Sequence, residues 1–316
     1  MEHGRYAYFE GKIRPIEAAK VSVMTHAFNY GTAVFEGIRG YWNAEEKQLY
    51  VFRLHDHLDR MFRNFNILRI HLALSKQDVA NIIVELIVKN EFREDVYVRP
   101  IAYKSSYVLG PKVHDLDDEL TIYVIRLGDY VDTSSGLKVA VSSWRRLSDN
   151  AVPARAKITG SYVNSALAAT EAKEGGFDEA IFLCEDGTVS EGSAMNMFLV
   201  FGNTLVTPPV TADILVGITR ETVMQIAREK LGLETTSRPV ARTELYVADE
   251  VFFCGTGAQI APVTYIDRRP AGDGKPGPIT CKLQKVYFDV VQSRLPEYSS
   301  WCTPVYKEPR KSASRT

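Results

Sequence analysis

Three side chains in the middle of the sequence could act together on a carbonyl compound. Lys157 precedes an Ala-rich stretch, Tyr162 follows five residues later, and Glu191 lies within the sequence TVSEGSAMNMF. A lysine amine can condense with an aldehyde or ketone, a hydroxyl can bond a neighbouring oxygen, and a carboxylate can hold a protonated nitrogen. Single lysines are far more often solvated surface charges, so the hypothesis depends on the three residues occurring together.

The elements around these residues follow from turn and capping signals. An Ala-rich helix should begin near Ser161 or Tyr162 and end at Gly175-Gly176, which places the lysine in the turn before the helix. A strand over 180–183 and a turn at Asp186-Gly187 then predict a hairpin whose second arm delivers Glu191.

This stretch resembles the lysine region of the branched-chain amino acid aminotransferases, which are fold-type IV pyridoxal 5′-phosphate (PLP) enzymes. The resemblance covers about residues 6–295 and implies an α+β chain, with two α/β domains in the D-amino acid aminotransferase-like architecture. It implies that Lys157 holds PLP as a Schiff base, that Glu191 contacts the pyridine nitrogen and that Tyr162 bonds the phenolic oxygen. A carboxylate there keeps the nitrogen protonated, so the ring can accept electron density from a developing carbanion.

Two further motifs of this family lie in the first half of the chain. The sequence HAFNYGTAVFEGIR matches the family pattern HxxxYGxxVFEGIR. The match implies that Tyr30 reaches into the neighbouring subunit's site and that Phe35 lines the substrate pocket, although such aromatic residues are usually core. On a strand with period two, Tyr97 and Arg99 share one face. The YxRP pattern implies that Tyr97 contacts the substrate α-carboxylate and Arg99 the side-chain carboxylate of glutamate or 2-oxoglutarate.

An arginine and a helix start are candidates for binding the cofactor's phosphate. Arg60 lies on a helix predicted over 54–67, where an arginine is usually solvated, but the resemblance implies that its planar fork grips the phosphate. The sequence VGITR resembles the family's phosphate-binding turn, and Thr219 is predicted to be the N-cap of the next helix. The cofactor-binding residues implied in this way are Arg60, Lys157, Tyr162, Glu191, Gly217, Ile218, Thr219 and Thr256.

A second glycine-flanked turn, GTGAQ, follows an apolar strand predicted over 250–254. Glycine lets backbone N–H groups approach a ligand closely. The resemblance implies a phosphate contact from Thr256, and backbone contacts from Gly257 and Ala258 to the phosphate or the substrate carboxylate. Many relatives have alanine and glutamate where Gly257 and Gln259 stand.

The segment GDYVDTSSG has linker composition and divides the chain. Residues 1–127 are predicted to form a small α/β domain, 128–136 an interdomain loop, 137–306 a large domain with the lysine, and 307–316 a basic, disordered tail. Within these domains, 34–39 is predicted to be one strand and 279–295 the last amphipathic helix. The resemblance implies that Tyr130 of the loop lines the substrate pocket.

Composition and missing motifs exclude several classes of function. The chain has 316 residues, 45% of them hydrophobic and 24% charged, with a formal net charge of −1. This balance favours neither nucleic acid nor an anionic membrane as a partner. Because no apolar run approaches a membrane span and no signal-peptide pattern occurs, we expect a cytoplasmic protein. The histidines and the four cysteines lack metal-ligand spacing, so no metal site is expected.

The resemblance implies a branched-chain-amino-acid transaminase. Leucine, isoleucine or valine would give its amino group to the cofactor and leave as a 2-oxo acid, and 2-oxoglutarate would then receive that group to give L-glutamate. Phe35 and Tyr130 of one subunit, together with Leu109 of the partner subunit, would form the apolar walls of the pocket. We therefore expect a homodimer, or a larger homo-oligomer built from dimers.

Other interpretations remain open at this point. Within the fold, the chain could be a D-amino acid transaminase, an amine transaminase or an aminodeoxychorismate lyase. From a different class, it could be a PLP-free binding protein on the same scaffold, although such a protein would be expected to have lost at least Lys157.

Overall fold

Two β-sheets form the framework of the part of the chain that the computed structural model describes, residues 3–128 and 134–306. The strands of the first sheet are β1 (Tyr6–Phe9), β2 (Lys12–Pro15), β3 (Ala33–Phe35), β4 (Ile38–Asn43), β5 (Gln48–Phe52), β6 (Val96–Lys104), β7 (Asp118–Arg126) and β17 (Cys302–Pro304). Their order is β17-β5-β4-β6-β7-β1-β2, and β3 also pairs with β6. All of these pairings are antiparallel.

The second sheet contains both parallel and antiparallel pairs. Its strands are β8 (Leu137–Arg145), β9 (Glu179–Leu183), β10 (Val189–Gly192), β11 (Asn196–Phe201), β12 (Thr204–Thr207), β13 (Glu234–Ser237), β14 (Glu250–Gly255), β15 (Gln259–Ile266) and β16 (Arg269–Pro270). Their order is β10-β9-β8-β15-β14-β11-β12-β13, and β16 pairs with β15. Strand β8 is parallel to both of its neighbours, and β12 is parallel to β13. Together with the helices, these sheets confirm the predicted α+β class.

Helices cover the sheets and connect their strands. The α-helices are α1 (His26–Tyr30), α2 (Leu54–Leu68), α3 (Lys76–Asn90), α4 (Tyr162–Glu174), α5 (Ile218–Leu231) and α6 (Pro278–Val291). Short 3₁₀ turns occupy Ile16–Ala18, Thr159–Ser161, Arg242–Tyr246 and Pro296–Trp301. The predicted start of the helix after the lysine is confirmed, because α4 begins at Tyr162.

Two predicted helix ends are wrong. Gly217, not Thr219, is the N-cap of α5, so Thr219 is the second residue of that helix. The last helix ends at Val291 rather than at residue 295, because Ser293 takes a positive φ of 59° and breaks the helical path.

The strand predicted over 34–39 is in fact two strands. β3 pairs with Tyr103–Ile101 of β6 and β4 pairs with Val98–Val96 of the same strand, so Glu36 and Gly37 form a break between them. The break turns the side chain of Glu36 into the interior, where it is fully buried. A Cβ at Gly37 would lie 2.0 Å from the Tyr97 hydroxyl oxygen, so any other residue here would displace the Tyr97 ring.

The cores of the two sheets meet rather than remaining separate. One apolar cluster joins Tyr41 and Phe52 of the first sheet to Phe198 of the second and to Tyr287 of α6. Strand β17, which lies within the predicted second domain of 137–306, pairs with β5 of the first sheet. The chain therefore returns to its first sheet after completing the second. Among the described residues, none of the helices combines the length and the hydrophobicity that crossing a bilayer requires.

Candidate active site

A cavity of about 620 Å³ collects most of the predicted site residues from both sheets. Its walls include Phe35, Arg60, Tyr97, Arg99, Lys157, Tyr162, Glu191, Gly217, Ile218, Thr219, Thr256, Gly257 and Ala258. Tyr30 and Leu109 are not among its lining residues, and Tyr130 lies outside the described residues. The structure thus brings together thirteen of the sixteen predicted residues, and the role of each toward a ligand stays a prediction.

Lys157 lies in the turn that leads into α4, with its amine inside the cavity. Its Nζ donates to the Tyr162 hydroxyl oxygen at 2.7 Å, and its carbonyl accepts from the Phe35 N–H at 3.0 Å. The turn also packs closely on the segment between α1 and β3, since a Cβ on Gly31 would lie 2.6 Å from the Gly160 Cα. Gly31 also has a φ of 66°, which glycine adopts without strain. Contacts with the first sheet therefore hold the lysine turn in place.

Glu191, on β10, presents a buried carboxylate to the same cavity. Arg146 Nη2 lies 2.8 Å from its Oε1, Asn196 Nδ2 donates to its Oε2 at 2.8 Å, and the backbone N–H of Leu215 donates at 3.2 Å. Burial raises the pKa of Glu191, while Arg146, the Leu215 N–H and Lys157 act in the opposite direction. These three donors therefore fix the direction of the carboxylate.

Arg60 and the start of α5 form a second polar end, which we call the anion cup (Arg60, Gly217, Ile218 and Thr219). Arg60 Nη1 donates to the Val216 carbonyl at 2.8 Å, which ties α2 to the start of α5. The N-cap of α5 is Gly217, whose lack of a side chain leaves the first-turn N–H groups without a side-chain cap. A Cβ on Gly217 would lie 2.0 Å from Asn196 Oδ1, so any other residue here would displace the Asn196 side chain.

One wall of the cavity combines aromatic rings with a guanidinium. Arg99 stacks over Phe35 at 4.4 Å and over Tyr97 at 5.1 Å, and its Nη2 donates to the Tyr97 hydroxyl at 2.9 Å. Its Nε is buried and has no hydrogen-bond partner among the described residues. A buried N–H of this kind favours an anionic ligand, because leaving it unpaired has a free-energy cost.

Tyr30 and Leu109 lie together on the outer surface. The Tyr30 hydroxyl accepts from the Gly110 N–H at 2.9 Å, and His26 Nε2 bonds the Gly110 carbonyl at 3.0 Å. Leu109 is 86% exposed, and Phe28 nearby in sequence is 69% exposed. An exposed apolar surface of this kind is typical of a protein–protein contact.

Several residues that shape the site were not predicted from the sequence. Arg146 and Asn196 hold Glu191, as described above. Glu36 contacts Arg60 and His57, and Arg39 donates to the carbonyls of Gly257, Leu127 and Gly128 at 2.8–3.1 Å. For Glu36 and Arg39 a signal existed, because a charged residue within an apolar strand needs a buried partner. For Arg146 the sequence contained no such signal, since the segment WRR, in which β8 ends, is also typical of the exposed end of a strand.

Comparisons with known proteins agree on one family. The family model for amino-transferase class IV matches residues 33–266. A "Probable branched-chain-amino-acid aminotransferase" of Aquifex aeolicus is 49% identical over 301 residues, which cover 95% of this chain and 97% of that protein.

Two solved structures show the same similarity. The branched-chain amino acid aminotransferase of Thermobaculum terrenum in its PLP form has a TM-score of 0.93 at 39% identity, covering 97% of this chain and 100% of that one. The branched-chain aminotransferase of the archaeon Thermoproteus uzoniensis, solved with norvaline, has a TM-score of 0.91 at 42% identity, covering 96% of this chain and 100% of that one.

Proposed function

The chain belongs to the class IV amino-transferase family, and from this premise we propose that it is a PLP-dependent branched-chain aminotransferase. It transfers the amino group of leucine, isoleucine or valine to 2-oxoglutarate and so produces branched 2-oxo acids and L-glutamate. One observation carries the proposal: a single cavity holds an amine–hydroxyl pair, a fixed carboxylate and an anion cup. These are the partners that the aldehyde, the pyridine nitrogen and the phosphate of PLP require.

The residues present fit this cofactor. Lys157 Nζ and the Tyr162 hydroxyl supply a nucleophile and a hydrogen-bonding group 2.7 Å apart. At the anion cup, Gly217 and the first turn of α5 offer backbone donors and the positive end of a helix dipole, which suit a phosphate. Gly217 also leaves room for the side chain of Asn196, which holds Glu191. The donor set therefore matches a phosphorylated pyridine aldehyde at each of its polar ends.

Each of these side chains has a distinct role in the reaction. Bound PLP supplies an electron-accepting ring that lowers the barrier to removing a proton from the amino acid Cα. Lys157 Nζ takes that proton, and the Tyr162 hydroxyl orients the amine. Glu191 holds a proton at the pyridine nitrogen, while Arg146 and Asn196 keep the carboxylate in place.

The substrate pocket must accept both an aliphatic side chain and a carboxylate. The Phe35 ring and the aliphatic part of Arg99 favour leucine, isoleucine and valine, whereas the N–H groups of Arg99 pair with the second carboxylate of 2-oxoglutarate. Tyr97 and the backbone N–H groups of Gly257 and Ala258 receive the α-carboxylate that both substrates share. We also assign Tyr130 to this pocket, as the family resemblance implies.

The enzyme works as a homodimer. Tyr30 and Leu109 face outward from their own chain, tied together through Gly110. An isologous dimer would place this apolar surface against the neighbouring subunit, where Tyr30 and Leu109 of the partner subunit complete the pocket.

A spectroscopic experiment tests the cofactor and the donor together. The purified protein with PLP should show the absorption band of an imine-bound cofactor, and borohydride should fix an adduct that peptide mapping places on Lys157. Adding leucine should remove the band, whereas D-alanine and a simple arylalkylamine should not. A Lys157→Ala variant serves as the control and should show neither the band nor the adduct. A colourless protein, or a stronger response to D-alanine or the amine, would contradict the proposal.

A further inference from the structure

Glu36 is a fully buried carboxylate next to the anion cup. Its Oε1 accepts from Arg60 Nε at 2.7 Å, and its Oε2 accepts from Arg60 Nη2 at 2.8 Å. His57 Nδ1 also lies 2.9 Å from Oε2. Burial by itself would raise the pKa of Glu36, but Arg60 and His57 outweigh it and hold that pKa well below its usual range. The side chain is therefore ionised, and His57 must donate to it through Nδ1.

These contacts fix the orientation of the Arg60 guanidinium. Two of its five N–H groups are paired with Glu36 in a bidentate arrangement, and a third is donated to the Val216 carbonyl. Within the described residues, two N–H groups then remain for a ligand, and Arg60 lines the cavity. The planar group can neither rotate nor withdraw without breaking two charge-assisted hydrogen bonds.

The charge of Glu36 has the opposite effect on an anion. Glu36 offsets the positive charge of Arg60, so Coulomb attraction alone would favour a phosphate more strongly in its absence. Removing the carboxylate should therefore weaken phosphate binding if the orientation of Arg60 matters more, and strengthen it if the charge of Glu36 matters more. This opposition makes the role of Glu36 measurable.

We propose that Glu36, held by His57, is a positioning residue that presents Arg60 to the phosphate of the cofactor and so sets the preference for PLP over unphosphorylated pyridoxal. The inference rests on the proposed function, because it takes the anion cup as the phosphate site. It assigns to Glu36 no contact with the cofactor itself.

The test compares two ligands that differ only in the phosphate. The full chain and its Glu36→Gln variant are equilibrated with PLP or with pyridoxal, and the bound fraction is read from the absorbance. In the variant, the dissociation constant for PLP should rise at least about tenfold, as expected for a displaced charge-assisted contact. The constant for pyridoxal should change by less than about twofold. If charge alone mattered, the variant would bind PLP more tightly than the wild type.

Two controls separate positioning from general damage. Glu36→Asp keeps the charge but is one methylene too short for the bidentate contact, so it should lose PLP preference as Glu36→Gln does. Glu250→Gln removes another buried carboxylate, one that instead caps α6 through the N–H groups of Ile279 and Thr280. It should keep the wild-type ratio of PLP to pyridoxal affinity even if it lowers thermal stability.

A second pair of variants carries the test if Glu36→Gln does not fold. His57→Leu removes the donor that supports Glu36 and should weaken PLP binding several-fold without affecting pyridoxal. His57→Asn keeps a donor close to the Nδ1 position and should behave as the wild type.

The outcomes distinguish this inference from the proposed function. A wild-type protein that does not bind PLP, or that binds both ligands equally, contradicts the proposed function itself. A wild-type protein that prefers PLP, together with Glu36 and His57 variants that keep the wild-type preference or lose both ligands equally, overturns only the positioning role.

Discussion

In the proposed function, a single residue, Arg99, serves two chemically different substrates. The Cζ atom of its guanidinium lies 4.4 Å from the centre of the Phe35 ring and 5.1 Å from that of the Tyr97 ring, so apolar ring surface adjoins the guanidinium. Its edge carries N–H groups, and the buried Nε lacks a partner among the described residues. An aliphatic substrate leaves that donor unpaired, whereas a second carboxylate would satisfy it.

Removing Arg99 should therefore affect the two substrates unequally. Arg99→Ala is expected to lower kcat/KM for 2-oxoglutarate by about tenfold to a hundredfold, the usual effect of losing a hydrogen bond to a charged group. The value for leucine should fall by less than about threefold. Steady-state kinetics with each substrate varied in turn measure the difference. Arg99→Met controls for lost packing, because it fills similar space without charge, and equal losses for both substrates would contradict the assignment.

Glu36 and His57 should make stability depend on pH. The pKa of Glu36 lies below its ordinary 4.5, and burial lowers the pKa of His57 below 6.5. As the pH falls through these ordinary values, Glu36 and His57 become protonated in the unfolded chain but not yet in the folded chain. Stability that is present at neutral pH is therefore lost on acidification.

The midpoint of thermal unfolding should accordingly fall from pH 7.5 to pH 5. The fall should be shallower in His57→Asn, whose side chain does not titrate. Differential scanning measurements across this range check the slope. Parallel profiles for the two proteins would show that His57 contributes nothing to it.

The elements of the chain were predictable wherever their signals are local. α3 begins at a capping box in which Ser75 and Asp78 bond each other's backbone N–H groups, and the spacing of these two residues in the sequence is sufficient to predict it. The break between β3 and β4 was not predictable, because its causes are distant in sequence. Glu36 turns inward to reach Arg60, and Gly37 makes room for Tyr97. Periodicity describes an apolar face, but it carries no information about a partner on another strand or helix.

Filling the space at this break should damage the site without removing any site residue. In Gly37→Ala the new Cβ would lie 2.0 Å from the Tyr97 hydroxyl oxygen, so the ring must move. A displacement of about 1 Å at a substrate contact can reduce activity by about a hundredfold, and we expect at least a tenfold loss in kcat/KM for leucine. Kinetics in a Tyr97→Ala background provide the control. In that background, Gly37→Ala should lower kcat/KM for leucine little further. If the losses from the two substitutions were fully additive, Gly37→Ala would act through a residue other than Tyr97.

At the scale of the whole molecule, the family resemblance located residues that periodicity could not. Lys157, Arg60 and Glu191 are far apart in sequence, and the packing of the two sheets against each other brings them to one cavity. Arg146 was missed, since its position at the end of β8 becomes buried only once α4 and the segment before α5 pack over it. Tyr30 and Leu109 face outward from their own chain.

Mixed dimers can establish whether the outward-facing residues act on the neighbouring site. Lys157→Ala should be inactive, and Leu109→Arg should be impaired by a charge in the partner's pocket. A heterodimer of the two would contain one site with Lys157 from one chain and Leu109 from the other, both intact. Co-expression should therefore restore about a quarter of wild-type activity, because about half of the dimers are mixed and each has one good site. No recovery would mean that Leu109 acts on its own chain's site or on none.

The pairing of β17 with β5 has a consequence for how the protein is made. A ribosome releases the chain from its amino end, so the strands of the first sheet up to β7 emerge early. The free edge of β5, however, is covered only after residue 304 has left the exit tunnel. Until then the nascent chain carries an open strand edge, which is a template for association with other chains. The earliest part of the molecule to be synthesised is thus among the last to be completed.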